Sequence, residues 1–318
     1  MFDVIALGEL LIDFTLHSES ENGMRLFEQN PGGAPANVLC ALANLGLRTA
    51  FAGKVGQDMH GDFLRATLEE KGVGTGMLIS SPDVFTTLAF VKLSETGERE
   101  FSFARKPGAD TQLTPQEVAG IPWEDCRIFH FGSLSLTDEP ARTATLEAVQ
   151  AAKRAGCIIS CDPNYRAPLW RGEADAAQQI RSVLGLVDII KISDEEMGLI
   201  TGSSSLEGAA AYMLGAGISC AVITLGNKGA YVATKADSAL VPVPAVPVVD
   251  ATGAGDAFWG GFLYKLVESG LRPEQLGKDE LMQSAVFANA VASLCVQKRG
   301  GIPAMPTLAE VLESMRQA

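Results

Sequence analysis

The sequence is short of positive charge, of histidine and of long apolar runs, and each shortage excludes a class of protein. Lysine and arginine together number 25 against 38 aspartates and glutamates, which leaves a net charge of −13. A chain this acidic is a poor match for phosphate backbones or anionic lipid, so we expect neither a nucleic-acid partner nor a membrane partner. No apolar run reaches the roughly 18 residues that a membrane-spanning helix needs.

The few cysteines and histidines fit no metal or disulfide pattern. The six cysteines match neither a zinc ribbon nor a CxxC redox pair, and most lie in apolar runs such as CIISC. We therefore expect buried, reduced thiols in a cytoplasmic protein. The three histidines are far apart and support neither a metal site nor a Ser-His-Asp triad. The N-terminal segment has no basic region and carries three acidic residues, so we expect no secretory signal.

The middle of the chain alternates between two hydrophobic patterns. Apolar segments rich in β-branched residues, such as CIISCDP and CAVITLG, are separated by stretches with helical periodicity, such as ADAAQQIRSVLGLV. Alternation of this kind predicts parallel βαβ units whose strands are buried on both faces. We therefore predict an α/β fold built on one mostly parallel sheet.

Two segments interrupt this alternation. Residues 17–30 are polar, and residues 86–105 have the pattern of two alternating strands around a turn at residues 95–98, which is typical of a hairpin. We expect both segments to form a small β excursion from one large α/β domain that spans residues 1–318, without a clean domain boundary.

The strongest chemical signal is the motif DATGAGDAF at residues 250–258, which joins a β-branched stretch to the start of a helix. The amides of Ala254, Gly255 and Asp256 would be free first-turn donors, with the helix dipole behind them. Gly253 and Gly255 lack a Cβ atom, so a phosphate could approach closely. Ligands of open α/β sheets bind beyond the carboxyl ends of strands, which is where we expect this turn to lie.

Asp256 is the residue of this motif that suggests a reaction. A carboxylate is unfavourable for anion binding alone, but it is useful if it takes a proton from a hydroxyl group that attacks a bound phosphoryl group. The alternative is an ordinary helix N-cap, since aspartate is common at helix starts. The chain contains no GxxxxGK[ST] sequence, so any ATP binding does not use a P-loop.

A second glycine motif lies near the N-terminus. GGAPANVLCALANLG, residues 32–46, places paired glycines before a predicted helix and offers Asn37 as a donor and acceptor at the helix start. Together, GGAPAN and DATGAGD resemble the two signatures of the PfkB (ribokinase-like) carbohydrate kinases. GELLID, DPNYR, KISDEE, TLGNKG and FANA also match in order, so the resemblance covers nearly the whole chain. Within the family, GELLIDF, FEQNPGGAPANV, KPGADTQLTP and DPNYR are most similar to the fructokinases.

The resemblance implies a doubly wound, mostly parallel sheet flanked by helices. It also implies a small β lid over the sugar, formed by inserted segments at about 14–31 and 86–106. Asp13, at the end of the second strand, matches a carboxylate that binds two sugar hydroxyl groups, which would discriminate strongly against deoxy analogues. The other positions that match sugar contacts are Gly33, Asn37 and Phe103.

The resemblance also assigns the reaction and the nucleotide site. It implies that Asp256 is the general base and that Gly253, Ala254 and Gly255 belong to the anion hole. Arg166 suits the charge that develops on the phosphoryl group and lies near the sugar. The positions that match nucleotide contacts are Asn164, Lys191, Glu196, Thr224, Gly226, Lys228, Gly229 and Asn289. The family's magnesium–phosphate motif is usually Asn-x-x-Glu, and here Ser193 replaces the asparagine while Glu196 is kept, with Mg²⁺ expected mainly on phosphate oxygens.

A monovalent cation, potassium or a similar ion, is a further implication of the resemblance. Asp250 and Thr252 match positions that hold such an ion. The remaining ligands would be the backbone carbonyls of Cys295, Lys298 and Gly300. The alternative is that Asp250 only caps the glycine turn.

We therefore expect an ATP- and Mg²⁺-dependent kinase that converts fructose to fructose 6-phosphate, and a homodimer through the lid is compatible with the family. A sibling kinase acting on ribose, a 2-keto-3-deoxy sugar acid or a nucleoside stays open, and a cationic pocket around Arg105 and Lys106 would favour the sugar acid. A third hypothesis is an inactive sugar-binding homologue, but the intact GAGD sequence argues against it. A dinucleotide oxidoreductase is disfavoured because its glycine fingerprint is absent.

Overall fold

The computed structural model describes residues 1–93 and 99–317, so the predicted turn at 95–98 lies outside the described residues. Within them the chain forms thirteen strands and ten α-helices. The strands are β1 (Phe2–Leu7), β2 (Leu11–Glu19), β3 (Arg25–Gly32), β4 (Thr49–Gly56), β5 (Gly74–Ser81), β6 (Leu88–Leu93), β7 (Arg99–Ala104), β8 (Cys126–Gly132), β9 (Ile158–Asp162), β10 (Ile189–Ser193), β11 (Cys220–Thr224), β12 (Ala230–Ala233) and β13 (Ser238–Val241). The helices are α1 (Ala34–Asn44), α2 (Met59–Glu70), α3 (Pro115–Val118), α4 (Ala141–Arg154), α5 (Glu173–Val183), α6 (Asp194–Thr201), α7 (Leu206–Gly215), α8 (Ala254–Ser269), α9 (Lys278–Cys295) and α10 (Leu308–Gln317).

Nine strands form the main sheet, in the order β13-β12-β11-β10-β9-β8-β1-β4-β5. Every neighbouring pair from β11 to β5 is parallel, whereas β12 and β13 are added antiparallel at one edge. The chain moves outward from β1 in one direction through β4 and β5, and later in the other direction through β8 to β11. The predicted doubly wound, mostly parallel sheet is therefore confirmed, and its strand order reverses beside β1.

Both faces of this sheet are buried under helices, as the apolar strand sequences predicted. In β1, Val4 and Ala6 enter the core shared with α1, α8 and α9, while Ile5 and Leu7 enter the core shared with α4, α5 and α7. All four side chains are fully buried. Successive residues of a strand point to opposite faces, so a sheet covered on both sides needs continuous apolar runs.

A second sheet of four strands, ordered β3-β2-β6-β7, combines the two segments that interrupt the alternation. β2 pairs antiparallel with β3 and parallel with β6, and β6 pairs antiparallel with β7. The prediction that Asp13 ends the second strand is wrong, because β2 continues to Glu19. The last three residues of β2 are exposed and polar, so they lack the apolar alternation that would have identified them as part of the strand.

The β-branched stretch before α8 is not a strand of either sheet. β13 ends at Val241, and residues 242–249 have no strand partner. The prolines at positions 242, 244 and 247 explain this, since proline has no N–H group to donate to a neighbouring strand. The amide of Val249 donates instead to the carbonyl of Val296, which ties the segment to the end of α9.

The remaining expectations from composition concern thiols, histidine and membranes. All six cysteines are free and buried, as expected. His130 is a buried residue of β8 with its Nδ1 atom 3.0 Å from the hydroxyl oxygen of Ser160. Among the described helices, none combines the length and the apolar character needed to cross a bilayer.

Helix α8 lies between α1 and α9 and approaches both closely. A Cβ atom at Gly260 would lie 2.7 Å from the Cβ atom of Ala41 in α1. One at Gly261 would lie 2.8 Å from the Cα atom of Ala288 in α9. The two glycines therefore set the position of α8, because a side chain at either would push a neighbouring helix away.

Gly261→Ala should destabilise the protein, because the new methyl group has no room against α9. Overpacking of this kind costs about 1–3 kcal/mol in the free energy of unfolding. Gly198→Ala in α6 is the matched control: no atom lies within 4 Å of the added methyl group. Helix propensity should make that control more stable by roughly 0.5–1 kcal/mol. Chemical denaturation measures both changes, and equal shifts in the two variants would contradict the packing argument.

Candidate active site

A cavity of about 380 Å³ is lined by residues of both sheets. Its walls come from β2, β3 and β7 of the small sheet, from the loops after β1 and β9, and from the start of α8. Both glycine motifs reach it, although they lie at opposite ends of the chain. The predicted site residues that line it are Asp13, Gly33, Asn37, Phe103, Asn164, Arg166, Lys191, Asp250, Thr252, Gly253, Ala254, Gly255, Asp256 and Gly300.

The Asp256 carboxylate receives hydrogen bonds from two separate parts of the chain. Asn37 in α1 donates to one oxygen at 2.7 Å, and Asn164 after β9 donates to the other at 3.0 Å. Asp256 is only 6% exposed. Burial raises the pKa of Asp256, while the charges of Lys191 and Arg166 and the two amide hydrogen bonds oppose the rise. A raised pKa makes the carboxylate a stronger base, which suits proton transfer from a hydroxyl group.

The first turn of α8 offers amide donors beside this carboxylate. Gly253 has a left-handed backbone, with φ of 76°, and so turns the chain into the helix. Within the described part of the chain, the amides of Gly255 and Asp256 have no hydrogen-bond acceptor, whereas that of Ala254 reaches the carbonyl of Ala251 at 3.3 Å. The turn therefore presents two free donors and one weakly engaged donor at the positive end of the helix dipole.

A buried ion pair lies beside this turn. Lys191 Nζ is 2.6 Å from a carboxylate oxygen of Asp162, and both side chains are buried. Burial alone would lower the pKa of Lys191, but three surrounding carboxylates, Asp162 foremost, raise it. The ammonium group is therefore charged where it lines the cavity.

Glu196, predicted at the magnesium–phosphate motif, already accepts hydrogen bonds at both oxygens. One oxygen accepts from the amide and the hydroxyl group of Ser193 at 2.7 and 3.0 Å, which forms a capping box at the start of α6. The other accepts from the amide of Tyr165 at 2.6 Å. Glu196 thus ties the loop after β9 to α6. In the part of the chain that the structure describes, no three Asp, Glu, His or Cys side chains are arranged to hold a metal ion.

Asp13 and the paired glycines form another wall of the cavity. A Cβ atom at Gly32 would overlap a carboxylate oxygen of Asp13, so a side chain there would displace that carboxylate from its present position. Gly33 has φ of +116°, and a Cβ atom there would overlap the carbonyl oxygen of Glu9. The GG sequence therefore fits the backbone closely around two acidic residues of the GELLID motif.

Arg105 does not make the cavity cationic. Its guanidinium group is buried and lies 2.7 and 2.8 Å from one carboxylate oxygen of Asp110. It also donates to the hydroxyl group of Thr137 and to the carbonyl of Leu134, each at 2.9 Å. Lys106 is exposed, and neither residue lines the cavity. Arg105 is therefore turned into the core and Lys106 toward the surface, so neither gives the cavity the positive charge that would favour a sugar acid.

Asp250 and Thr252 lie at the N-terminal end of the glycine turn. One oxygen of Asp250 accepts from the amide and the hydroxyl group of Thr252 at 2.9 and 2.7 Å, and the other accepts from the amide of Gly300 at 3.0 Å. The thiol of Cys295 is 3.8 Å from the carbonyl of Thr252, while the side chain of Lys298 is paired with a glutamate in α10. The contacts of a turn cap are present, and the loop after α9 lies against the turn.

The other predicted nucleotide residues lie outside the cavity lining, at the edge formed by β12 and β13. Thr224 ends β11, and Gly226, Lys228 and Gly229 follow in the loop before β12. Asn289 in α9 donates to the carbonyls of Val241 and Pro242 at 3.4 and 3.2 Å. A Cβ atom at Gly229 would overlap the same carbonyl of Val241, so the loop and Asn289 are close neighbours.

Three residues of this region are missing from the sequence-based set. Glu9 accepts from the amide of Ala34, the first residue of α1, at 2.9 Å, and burial raises the pKa of Glu9 to about 7. Asp162 holds Lys191, and Arg299 lines the cavity and lies 3.6 Å from Glu28 of the small sheet. Glu9 lies just after β1 and Asp162 ends β9, so their places at the ends of strands could have identified them from the sequence. Arg299 follows a helix in a mixed polar stretch and has no such signal.

Comparison with known proteins agrees with this geometry. The model of the family described as pfkB family carbohydrate kinase matches residues 1–308. Fructokinase-1 of Zea mays is 41% identical, in a match that covers 99% of this chain and 98% of that protein. The sequence likeness therefore extends over both motifs and everything between them.

Solved structures are similar over their whole length as well. The fructokinase with bound ATP from Xylella fastidiosa matches with a TM-score of 0.92 at 33% identity, covering 100% of this chain and 99% of that one. A double mutant of the fructokinase from Vibrio cholerae O395, in a form with fructose, ADP and potassium ion bound, matches with a TM-score of 0.87 at 32% identity, covering 98% of each chain. From its fold, its two motifs and a family match over nearly its whole length, the chain belongs to the pfkB family of carbohydrate kinases.

Proposed function

We propose that this carbohydrate kinase is a fructokinase, which transfers the γ-phosphoryl group of ATP to the 6-hydroxyl group of fructose. The observation that carries the proposal is the meeting of the two motifs in one cavity, where Asp256 is buried beside unpaired amides and shares the lining with Asp13. The likeness to fructokinases supports the choice of sugar, and the relative with bound ATP supports the choice of donor.

In this mechanism Asp256 accepts the proton of the sugar hydroxyl group as its oxygen attacks the γ-phosphorus, and the bond from that phosphorus to the ADP oxygen breaks. Asn37 and Asn164 orient the carboxylate through their bonds to its two oxygens. The amides at the start of α8 and the charge of Arg166 stabilise the negative charge on the transferred group. Positioning and electrostatics thus supply most of the catalysis, as phosphoryl transfer requires.

The nucleotide, in this proposal, lies along Lys191 and the loop at 224–229, with its base near Asn289. Three carboxylates, those of Asp162, Glu196 and Asp256, surround the single charge of Lys191. With Arg166 as a second cation beside Asp256, carboxyl groups still outnumber cationic side chains here, which fits a divalent cation that arrives with the phosphates. Glu196 would hold it through water, since both of its oxygens already accept hydrogen bonds. When bound, Mg²⁺ would neutralise part of the negative charge of the phosphates.

We propose that the small sheet is the lid over the sugar, formed by segments at about 14–31 and 86–106 of one domain. Asp13 in β2 and Phe103 in β7 both line the cavity from this sheet. Asp13 would accept from sugar hydroxyl groups while Phe103 covers the sugar, with Gly33 allowing close approach of the backbone.

The proposed homodimer would use the exposed face of the same sheet. Leu26, Phe27 and Phe90 are each at least 40% exposed, and the rings of Phe27 and Phe90 meet edge to face at 6.1 Å. An exposed apolar patch of this kind favours association with another surface.

A coupled assay of ADP release over a panel of sugars, sugar acids and nucleosides tests the proposal. We expect fructose to give the highest kcat/KM. The sugar acid loses support because Arg105 faces the core, while a ribose or nucleoside kinase is the remaining alternative. A higher kcat/KM with one of those compounds would replace fructose, and ADP release that no sugar stimulates would leave an inactive homologue.

Asp256→Asn should lower kcat by about 10²–10⁴, the usual weight of a general base, and change nucleotide affinity by no more than a few fold. Asp194→Asn is the matched control, because Asp194 also lies in the first turn of a helix but is exposed. Steady-state kinetics and nucleotide titration measure both effects. The structure already argues against a helix N-cap, because Gly253 is the N-cap of α8 and Asp256 makes no capping hydrogen bond. If Asp256→Asn behaves like the control, Asp256 has only a structural role.

Asp13→Ala should impair the sugar side selectively. Two hydrogen bonds to a charged group are worth about 1.5–3 kcal/mol each, so the KM for the sugar should rise more than tenfold while the KM for ATP stays constant. Glu19→Ala, at the exposed end of the same strand, is the control. Equal changes in both Michaelis constants, or none, would reduce Asp13 to a structural residue.

Potassium should activate the enzyme through the Asp250–Thr252 turn and the carbonyls of Cys295, Lys298 and Gly300, by fixing the turn and adding positive potential behind the amides. We expect kcat/KM in tetramethylammonium buffer to rise several fold when potassium is added. The rise should disappear in Asp250→Asn, which keeps one of the two acceptor oxygens and loses the charge. Full activity without any alkali cation would leave only the turn cap.

A further inference from the structure

Only one of the two residues in the ion pair beneath the amide turn lines the cavity. The side chains of Lys191 and Asp162 are only 6% and 1% exposed, with Nζ and Oδ2 2.6 Å apart. Lys191 lines the cavity, whereas Asp162 is not among the lining residues. Asp162 therefore touches the cavity only through the lysine that it binds.

Lys191 also lies against the amide turn itself. A Cβ atom at Gly255 would be 2.9 Å from Lys191 Nζ, so the absence of a side chain at this position gives the ammonium group its place. Its charge therefore adds to that of the free amides at the start of α8, at the point where an anion would bind.

Asp162 has no structural partner that would otherwise explain its burial. Its second oxygen, Oδ1, is buried without a hydrogen-bond partner in the described part of the chain. A buried oxygen without a protein partner costs about 1–3 kcal/mol unless another group or water satisfies it, so a purely stabilising role does not account for this carboxylate. The side chain at this position is therefore explained by what it does to Lys191.

We propose that Asp162 is a positioning residue that holds the Lys191 ammonium group against the amide turn of α8, where this charge stabilises the phosphoryl group during transfer. The inference rests on the proposed function, since it requires phosphoryl transfer at this turn. It adds to that function a residue that touches neither sugar nor nucleotide.

The surroundings of Lys191 set the expected pH behaviour. Ionisable groups reach this region from five elements: Asp162 and Cys161 from β9, Glu196 from α6, Asp256 from α8, His130 from β8 and Cys295 from α9. Burial, helped by Lys191, lowers the pKa of His130 to about 3, and burial raises the pKa of both thiols, so these three stay neutral near pH 7. Burial raises the pKa of Asp162 itself to about 7, against the opposing charge of Lys191, so the carboxyl group is ionised above neutral pH. Without Asp162 the pKa of Lys191 falls, because burial then acts against fewer carboxylates.

A double-mutant cycle tests the proposal with Asp162→Asn, Lys191→Gln and the double variant. Each single change should lower kcat by roughly 10²-fold, the scale of one lost electrostatic contact, while the KM for the sugar changes less than threefold. The double variant should be no more than about threefold below Lys191→Gln, because Asp162 acts through the lysine. Multiplied losses in the double variant would overturn the proposal.

Asp188→Asn is the matched control, since Asp188 also pairs with a lysine, Lys153. Asp188 lies just before β10, at the end of that strand away from the cavity, and does not line the cavity. This variant should leave kcat within twofold of wild type. If neither single variant folds, the double variant, which contains no unpaired charge at this pair, decides alone. A normal kcat in it would overturn the proposal, and a loss of roughly 10²-fold with an unchanged sugar KM would support it.

Binding of a non-hydrolysable ATP analogue, measured by calorimetry from pH 6 to pH 9 without sugar, separates this inference from the proposed function. Asp162→Asn should lose affinity at least fivefold more than wild type as the pH rises, because its lysine loses its proton. Lys191→Gln should show no such additional loss. Parallel profiles for Asp162→Asn and wild type would overturn the proposal, whatever sugar the enzyme uses.

Discussion

Asp256 is a carboxylate buried at the start of a helix, and much of the site consists of the groups that stabilise its negative charge there. Burial raises its pKa, and donors from distant parts of the chain oppose that rise. Asn37 and Asn164 contact its two oxygens, and the first of these bonds spans 219 residues of sequence. The carboxylate thus requires the N-terminal motif, the DPNYR loop and the C-terminal motif to meet, which only the completed fold achieves.

The topology of the sheet explains where this meeting occurs. The strand order reverses beside β1, so the connections that leave β1 toward β4 and its neighbour β8 toward β9 run in opposite directions and leave a crevice at the carboxyl edge. The start of α8 reaches the crevice because Gly260 and Gly261 allow the helix to lie close to α1 and α9. Trp259, one turn after Asp256, is fully buried and donates to Ser160 of β9 at 3.1 Å, which fixes the helix on the sheet. The packing of the core therefore determines where the start of α8 lies in the site.

The sequence predicted those parts that depend on local pattern. Continuous apolar runs identified the central strands, and the glycines of both motifs identified the two turns that line the cavity. It did not predict the extent of β2 and β3, because half-exposed strands of a small sheet carry polar residues. It also did not reveal that Arg105 faces the core or that Asp162 holds Lys191. Such pairings depend on side chains from different strands and on burial, which no single segment encodes.

The pH dependence of kcat/KM for the sugar tests the role of Asp256 most directly. Because Asp256 must be ionised to accept a proton, kcat/KM should fall tenfold per pH unit below a pKa that is higher than the value of about 4 for an ordinary aspartate. Asn164→Ala removes a hydrogen bond that lowers this pKa, so the acidic limb should move to higher pH. A limb that stays in place in Asn164→Ala, or a kcat/KM that does not fall with pH, would contradict the account.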